Sequence, residues 1–296
     1  MNPAMDLNYT RIFDPDQRRT VPGIYVYQPE ITLAINIALA TERPLLVSGP
    51  SGCGKSTLAR DVAEILDWDY ESEVITSRTE AVDLLYRVDR LRQLRDSHTT
   101  LSPRADYVEP GVLWRAFDPT GSRLKISTEA NAPLARGVVV LLDEIDKADP
   151  DLPNNLLEPF GDYRFSVTAE LPGVFVSARR KPLLIITTNN ERRLPDAFIR
   201  RCVDLKIERP SPEVLVSIAR RHFGPEAATT SDSPGSPGDQ LLASVADAVT
   251  LTDSYSTAEY LDTVRAMVTL GIPETPENLK ELIGFTVRKT AKQVPQ

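Results

Sequence analysis

The stretch GPSGCGKST at residues 49–57 constrains this chain more than any other. Glycines spaced this closely let successive backbone N–H groups turn inward on one point, because no Cβ stands in the way. Gly49, Gly52 and Gly54 supply that freedom, and Pro50, Ser51, Cys53, Lys55, Ser56 and Thr57 complete the spacing G-x-x-x-x-G-K-S of a phosphate-binding loop. Lys55 is placed as a point charge for the outer phosphates of a nucleotide, and the Ser56 hydroxyl as a ligand for Mg2+. Such a loop works only between a buried strand and the positive N-terminal end of a helix. The flanks meet that demand: residues 44–48 (PLLVS) read as a short buried strand, and apolar residues recur at helical spacing over 56–66.

The same alternation continues along the chain. A helix is expected over 28–40, with Ile31, Ala34, Ile35, Ala38 and Leu39 on one face, and another over 80–95. Residues 137–142 (GVVVLL) and 181–188 (KPLLIITT) are apolar runs of the kind that fill the middle of a parallel sheet. Residues 163–178 alternate around Leu171, Pro172 and Gly173 and predict a β-hairpin. Strands alternating with helices argue for a three-layer α/β sheet. Past Arg209 and Pro210 only helical patterns remain, at 212–223, 240–250, 257–270 and 276–292, so a smaller all-helical domain is expected over 210–296. A Pro-, Gly- and Ser-rich linker at 225–239 interrupts it, and the polar residues 1–20 read as a loosely held arm.

Two carboxylates, Asp143 and Glu144, end the strand at 137–142. In an open parallel sheet ligands bind beyond the carboxyl ends of the strands, so both should face the phosphate loop. Asp143 is assigned to the metal and Glu144 to polarising an attacking water; capping of a helix near Lys147 by Asp143 or Asp146 is the structural alternative. Asn189 ends the next apolar strand and is placed to hold that water, with Asn190 one residue on as the alternative. Arg200 and Arg201, in LPDAFIRRC, read alone as a surface arginine pair; beside the other elements they are a guanidinium pair suited to the charge that builds on a transferring phosphate of a neighbouring site.

Taken in this order, GPSGCGKST, VVVLLDEIDKA, LLIITTNN and LPDAFIRRC resemble the motifs of an AAA+ ATPase, and more narrowly its MoxR-like branch, over about residues 25–270. TEAVDLLYRVDRLRQLRDS and EPGVLWRAF, within 78–117, are similar to that branch's insertion, and 163–178 to the extra hairpin of the larger clade. The resemblance implies an AAA+ α/β domain over 21–209 and a helical lid after it. It further implies ATP and Mg2+ as ligands and a nucleotide site shared between subunits of a homo-oligomeric ring, usually a hexamer. Asp143 and Glu144 fall on the Walker B pair and Asn189 on sensor 1. Arg200 and Arg201 fall on the trans-acting arginine finger, with Arg201 preferred. MoxR-like ATPases commonly work beside partners bearing a von Willebrand factor A domain. One position departs from the pattern: the lid's second-sensor arginine is replaced by Ala258, with Arg265 and Arg288 as candidate substitutes.

The motifs are compatible with three functions. The first is an ATP hydrolase that remodels a partner protein, the second a nucleotide-gated assembly switch with slow hydrolysis, and the third a nucleic-acid translocase. A net charge of −8 argues against the third and against general attraction to anionic membranes. No apolar run spans a bilayer and the first residues lack a signal peptide's apolar core, so no membrane insertion is expected. With Cys53 and Cys202 as the only cysteines, a cytoplasmic setting is expected. His98 and His222 read as isolated surface or helix-end residues, Trp68 and Trp114 as packing anchors, and Tyr25 and Tyr27 as either a border of an adenine pocket or core or hinge packing.

Overall fold

The structure, a computed structural model, describes residues 10–17, 25–96, 104–119, 136–167, 171, 173–224, 237–252 and 254–287. Its first part runs α1 (Pro29–Thr41), β1 (Leu45–Ser48), α2 (Lys55–Leu66), β2 (Asp69–Val74), α3 (Ala81–Leu85), β3 (Tyr86–Val88), α4 (Arg90–Asp96), β4 (Val108–Pro110) and α5 (Val112–Phe117). The middle part runs β5 (Val138–Asp143), α6 (Asp151–Asn155), α7 (Leu157–Asp162), β6 (Arg164–Ser166), β7 (Phe175–Ser177), β8 (Leu183–Thr188), α8 (Asp196–Ile199) and β9 (Val203–Lys206). Four helices close the described chain: α9 (Pro212–Phe223), α10 (Asp239–Thr250), α11 (Thr257–Leu270) and α12 (Pro276–Thr286).

β5 and β8 are apolar on both faces, so both faces must be covered. They lie side by side in a five-stranded sheet of order β2-β5-β8-β1-β9, in which every pairing is parallel. Side chains alternate across the pleat. Val139, Leu141, Leu183 and Ile185 enter one core with Ile35 and Ala38 of α1 and Leu58 and Val62 of α2. Val140, Leu142, Leu184 and Ile186 enter the opposite core with Leu113, Phe117, Leu152 and Phe198. This is the expected three-layer P-loop core with a parallel sheet. The helices α9–α12 gather a separate core around Leu215, Val245, Tyr260 and Val264, the expected helical lid.

The structure corrects several sequence expectations. The helix expected over 80–95 is two helices split by β3, which pairs antiparallel with β4. Asp89 ends the strand and caps the second helix, accepting from Arg92 N at 2.8 Å. Two strands without a strong apolar signal, β2 and β9, form the sheet edges. The acidic residues of β2 are met by arginines: Glu71 pairs with Arg115 and Glu73 with Arg87, each at 2.9 Å. The arm is anchored rather than loose where it is described. Phe13 is fully buried against Tyr27, and the Asn36 amide bonds Ile12 N, Phe13 N and Phe13 O. β6 and β7 form the expected hairpin. The last helix ends at Thr286, short of the expected end at 292, and Asp239, taken as linker, opens α10. Most of the linker and Arg288 lie outside the described residues, as does His98.

The order β5-β8-β1 sets the position of the site. Three parallel strands end side by side, and their carboxyl ends carry Asp143 and Glu144, Asn189, and Gly49.

Candidate nucleotide site

The loop after β1 is held by the sheet at its start, where Gly49 N donates to Thr188 O at 3.3 Å and Ile207 N to Ser48 O at 2.7 Å. Gly49 runs so close to β9's exit that a Cβ would strike the Ile207 carbonyl. Gly52 has φ +76, and a side chain there would strike Ser256 of the lid. Both positions therefore require glycine, one for the approach of backbone to backbone and the other for the left-handed turn as well.

Lys55 opens α2 and is buried, at 6% exposure. Its ammonium donates to Gly49 O and Pro50 O at 2.8 Å each and to Asn189 Oδ1 at 2.7 Å. One residue on, Ser56 Oγ donates to the Asp143 carboxylate, 2.8 Å from Oδ2 and 3.0 Å from Oδ1. Asn189 turns its amide nitrogen to Glu144 Oε1 at 3.2 Å, so one side chain touches both the lysine and the glutamate. Asn190 takes a left-handed turn (φ 59), its N–H bonded to Thr188 Oγ1 at 3.0 Å. Of the two asparagines, the structure brings Asn189 into the cluster.

Three residues outside the sequence-predicted set hold these groups. Thr187 Oγ1 donates to Asp143 Oδ1 at 2.5 Å and accepts Glu144 N at 2.9 Å, fixing the carboxylate pair from the neighbouring strand. Asp146 does not cap a helix; it is buried, and its Oδ2 accepts the N–H groups of Asn189 at 3.1 Å and Glu191 at 2.9 Å. Lys147 pairs with Glu144 Oε2 at 2.5 Å, and the hydrogen bond from that carboxylate raises the lysine's pKa. Glu144 itself is left-handed (φ 61), a conformation that costs an L-residue about 1–2 kcal/mol. The signal for Thr187 and Asp146 was present as polar residues in buried settings, but their partners are distant in sequence.

Cys53 is half-buried in the loop, and burial raises its thiol pKa. Tyr25 lies over Gly54, and burial likewise raises the pKa of its phenol; Tyr27 packs on Tyr25 and donates to Asp61 at 2.7 Å.

Arg200 and Arg201 sit elsewhere, on the turn leaving α8. Arg201 is exposed and its Nη1 lies 3.4 Å from Ala197 O, within its own turn. Among the described residues no hydrogen bond or ion pair joins either arginine to the phosphate loop of the same chain. Cys202 beside them is buried, and burial pushes its thiol up to about 12.

The lid meets the loop where α11 begins. Ser256 caps α11, accepting from Glu259 N at 3.2 Å while its own N–H bonds Glu259 Oε2 at 2.8 Å. The next residue, Thr257, donates its N–H to Gly52 O at 3.1 Å. Ala258 is exposed. Arg265 lies further along α11, bonded to His222 at 3.0 Å and facing Asp262 at 3.7 Å, so it is engaged within the lid. Burial and that arginine lower the His222 pKa. Trp114 is buried against Phe165, and Arg180 stacks on Trp68 at 4.6 Å. Among the described residues no group of His, Cys, Asp and Glu could by itself hold a metal ion, and no helix is long and apolar enough to cross a membrane.

A parallel sheet that brings a glycine-rich loop, a buried lysine and a carboxylate pair together at its carboxyl edge defines a P-loop nucleotide-binding protein of the AAA+ class. The family model of the AAA domain (dynein-related subfamily) matches residues 44–202, and the chain belongs to this family. Among solved structures it is similar to two mutant forms of RuvB from Thermotoga maritima, each at 14% identity. One has a TM-score of 0.53, with 93% of this chain and 73% of that chain covered. The other has a TM-score of 0.52, with 88% and 70% covered. At that identity the likeness shows the fold alone. Across the RuvB structures this chain spans between 66% and 73% of the other's length. No curated protein matches the chain.

Proposed function

We propose that this protein is an oligomeric Mg-ATPase of the MoxR-like AAA+ branch, hydrolysing ATP at the interfaces of a hexameric ring to remodel or activate a partner protein. The observation that carries this reading is the single asparagine, Asn189, bonded at once to Lys55 at 2.7 Å and Glu144 at 3.2 Å. The residues fit the ligands. Lys55 is a buried cation whose present acceptors, two carbonyls and an amide oxygen, are weaker than phosphate oxygens. Asp143 and Ser56 are hard oxygen donors within hydrogen-bond distance of each other, the few protein ligands Mg2+ takes when phosphates and water complete its shell. When bound, Mg2+ neutralises phosphate charge.

In this reading Lys55 and the backbone N–H groups of Ser51, Gly52, Cys53, Gly54, Ser56 and Thr57 bind and orient the phosphates, and Gly49 and Pro50, whose carbonyls hold the Lys55 ammonium, shape the loop around them. Glu144 accepts a proton from the attacking water, which Asn189 helps to position. Arg201, or Arg200, enters from the adjacent subunit and stabilises the charge that develops. The chain divides into an arm at 1–20, a nucleotide-binding domain at 21–209 and a lid at 210–296. Partner contact is assigned to the insertions at 78–117 and 163–178, which expose Leu91, Leu94 and Phe175. A von Willebrand factor A domain protein is the candidate partner class, and a cytoplasmic setting fits the free thiols of Cys53 and Cys202.

Glu144→Gln should keep ATP binding while phosphate release falls by about 10²–10⁴-fold, the usual contribution of a positioned base. Undiminished release would remove Glu144 from this role. A second reading, a nucleotide-gated assembly switch, is favoured by the exposed Ala258 and by Arg265 being engaged within the lid. Counting ATP consumed per assembly event separates the two, since a motor turns over repeatedly and a switch about once.

A further inference from the structure

We infer that Arg43 is a positioning residue for the arginine finger, fixing the turn that carries Arg200 and Arg201 in the orientation from which they enter a neighbouring site. This rests on the proposal of a site shared between subunits. The guanidinium of Arg43 spans consecutive carbonyls of that turn. Its Nη2 donates to Arg200 O at 2.6 Å and Cys202 O at 2.7 Å, and its Nε to Arg201 O at 3.2 Å. These carbonyls leave the end of α8, where a helix has acceptors without partners and the negative end of its dipole. Three charge-assisted bonds to one planar fork hold a curled backbone more tightly than a lysine's point charge could.

The post that carries the fork is itself fixed. Arg43 N bonds Ala38 O at 3.2 Å behind the left-handed Glu42 (φ 55). Glu42 O accepts from Tyr163 Oη at 2.7 Å, and its carboxylate pairs with Lys181 at 2.5 Å. On the other side Pro44 O accepts Val203 N at 2.7 Å, joining the same corner to the start of β9. The result is a clamp on the main chain of the arginine turn that uses none of the side-chain nitrogens of Arg200 or Arg201.

A clamp that serves only folding would act on its own subunit; one that serves the finger acts on the next. Subunit mixing distinguishes them. Glu144→Gln subunits keep the finger and lose the base, and Arg201→Ala subunits keep the base and lose the finger, so their mixture should regain turnover. Arg43→Lys alone should lower kcat on the order of 10²-fold, the scale of a misplaced group, with ATP affinity unchanged. Mixed with Glu144→Gln it should regain turnover as Arg201→Ala does; mixed with Arg201→Ala it should not. The double variant Arg43→Lys, Arg201→Ala should be no slower than Arg201→Ala. Arg43→Gln, which keeps a single donating amide, repeats the test should the lysine variant fold poorly. If the control mixture recovers and the Arg43 mixture does not, Arg43 acts on its own subunit and the inference is overturned while the shared site stands. If the control mixture also fails to recover, the shared site falls and the inference with it.

Discussion

The phosphate loop and the arginine turn lie at opposite extremes of how a protein holds charged side chains. At the loop the side chains hold one another: Lys55, Asn189, Glu144 and Lys147 form one bonded series, and Ser56, Asp143 and Thr187 a second. At the turn the backbone is held, by Arg43, while the side chain of Arg201 stays exposed. A bonded series inside one subunit is suited to a ligand that enters it. A bonded turn with an exposed guanidinium is suited to a site on another molecule. The two regions also differ in what a single substitution removes, because coupled groups fail together and a presented group fails alone.

Two substitutions should separate the regions most sharply. Lys55→Ala removes the charge at the centre of the loop and should abolish measurable nucleotide binding by calorimetry. Arg201→Ala should leave binding intact and cost on the order of 10³-fold in turnover, as loss of an arginine finger does. Should Arg200→Ala have that effect instead, the finger is its neighbour and the geometry of the turn is otherwise unchanged. Loss of binding in either arginine variant would break the contrast.

A smaller effect distinguishes the regions by their cysteines, one in each. Cys53 in the loop is half-buried, while Cys202 beside the arginines is buried with a thiol pushed up to about 12. Both pKa values are raised, so the reactive thiolate is scarce near neutral pH and alkylation of each should accelerate as pH rises. Native-state labelling followed by mass spectrometry should find Cys53 modified about tenfold or more ahead of Cys202, with ATP slowing Cys53. Equal rates would mean that the arginine turn opens as readily as the loop.

Much of this was legible in the chain itself. Gly49–Lys55–Ser56, Asp143–Glu144 and Asn189 sit in short motifs beside apolar strands, and a parallel sheet puts the carboxyl ends of such strands on one edge. The side chains that orient them were not legible in the same way. Thr187 and Asp146 act on residues of a neighbouring strand or loop, and Arg43, just before β1, reaches the turn at Arg200 157 residues along the chain, so no local spacing marks them. The edge strands escaped for a different reason. β2 has no fully buried residue and carries three acidic side chains, and β9 is four residues with two charges, so neither carries the apolar signal of β5 and β8. In the segment 80–95 helical spacing overrode the strand Tyr86–Val88, which forms because a partner strand lies at Val108–Pro110.

In the proposed ring, one subunit supplies the loop and another the arginine. ATP turnover per subunit, measured by phosphate release as the protein is diluted through its oligomer–monomer transition, tests this most directly. Turnover should collapse with the oligomer while nucleotide affinity persists. Turnover that stays constant per subunit down to monomer would contradict it.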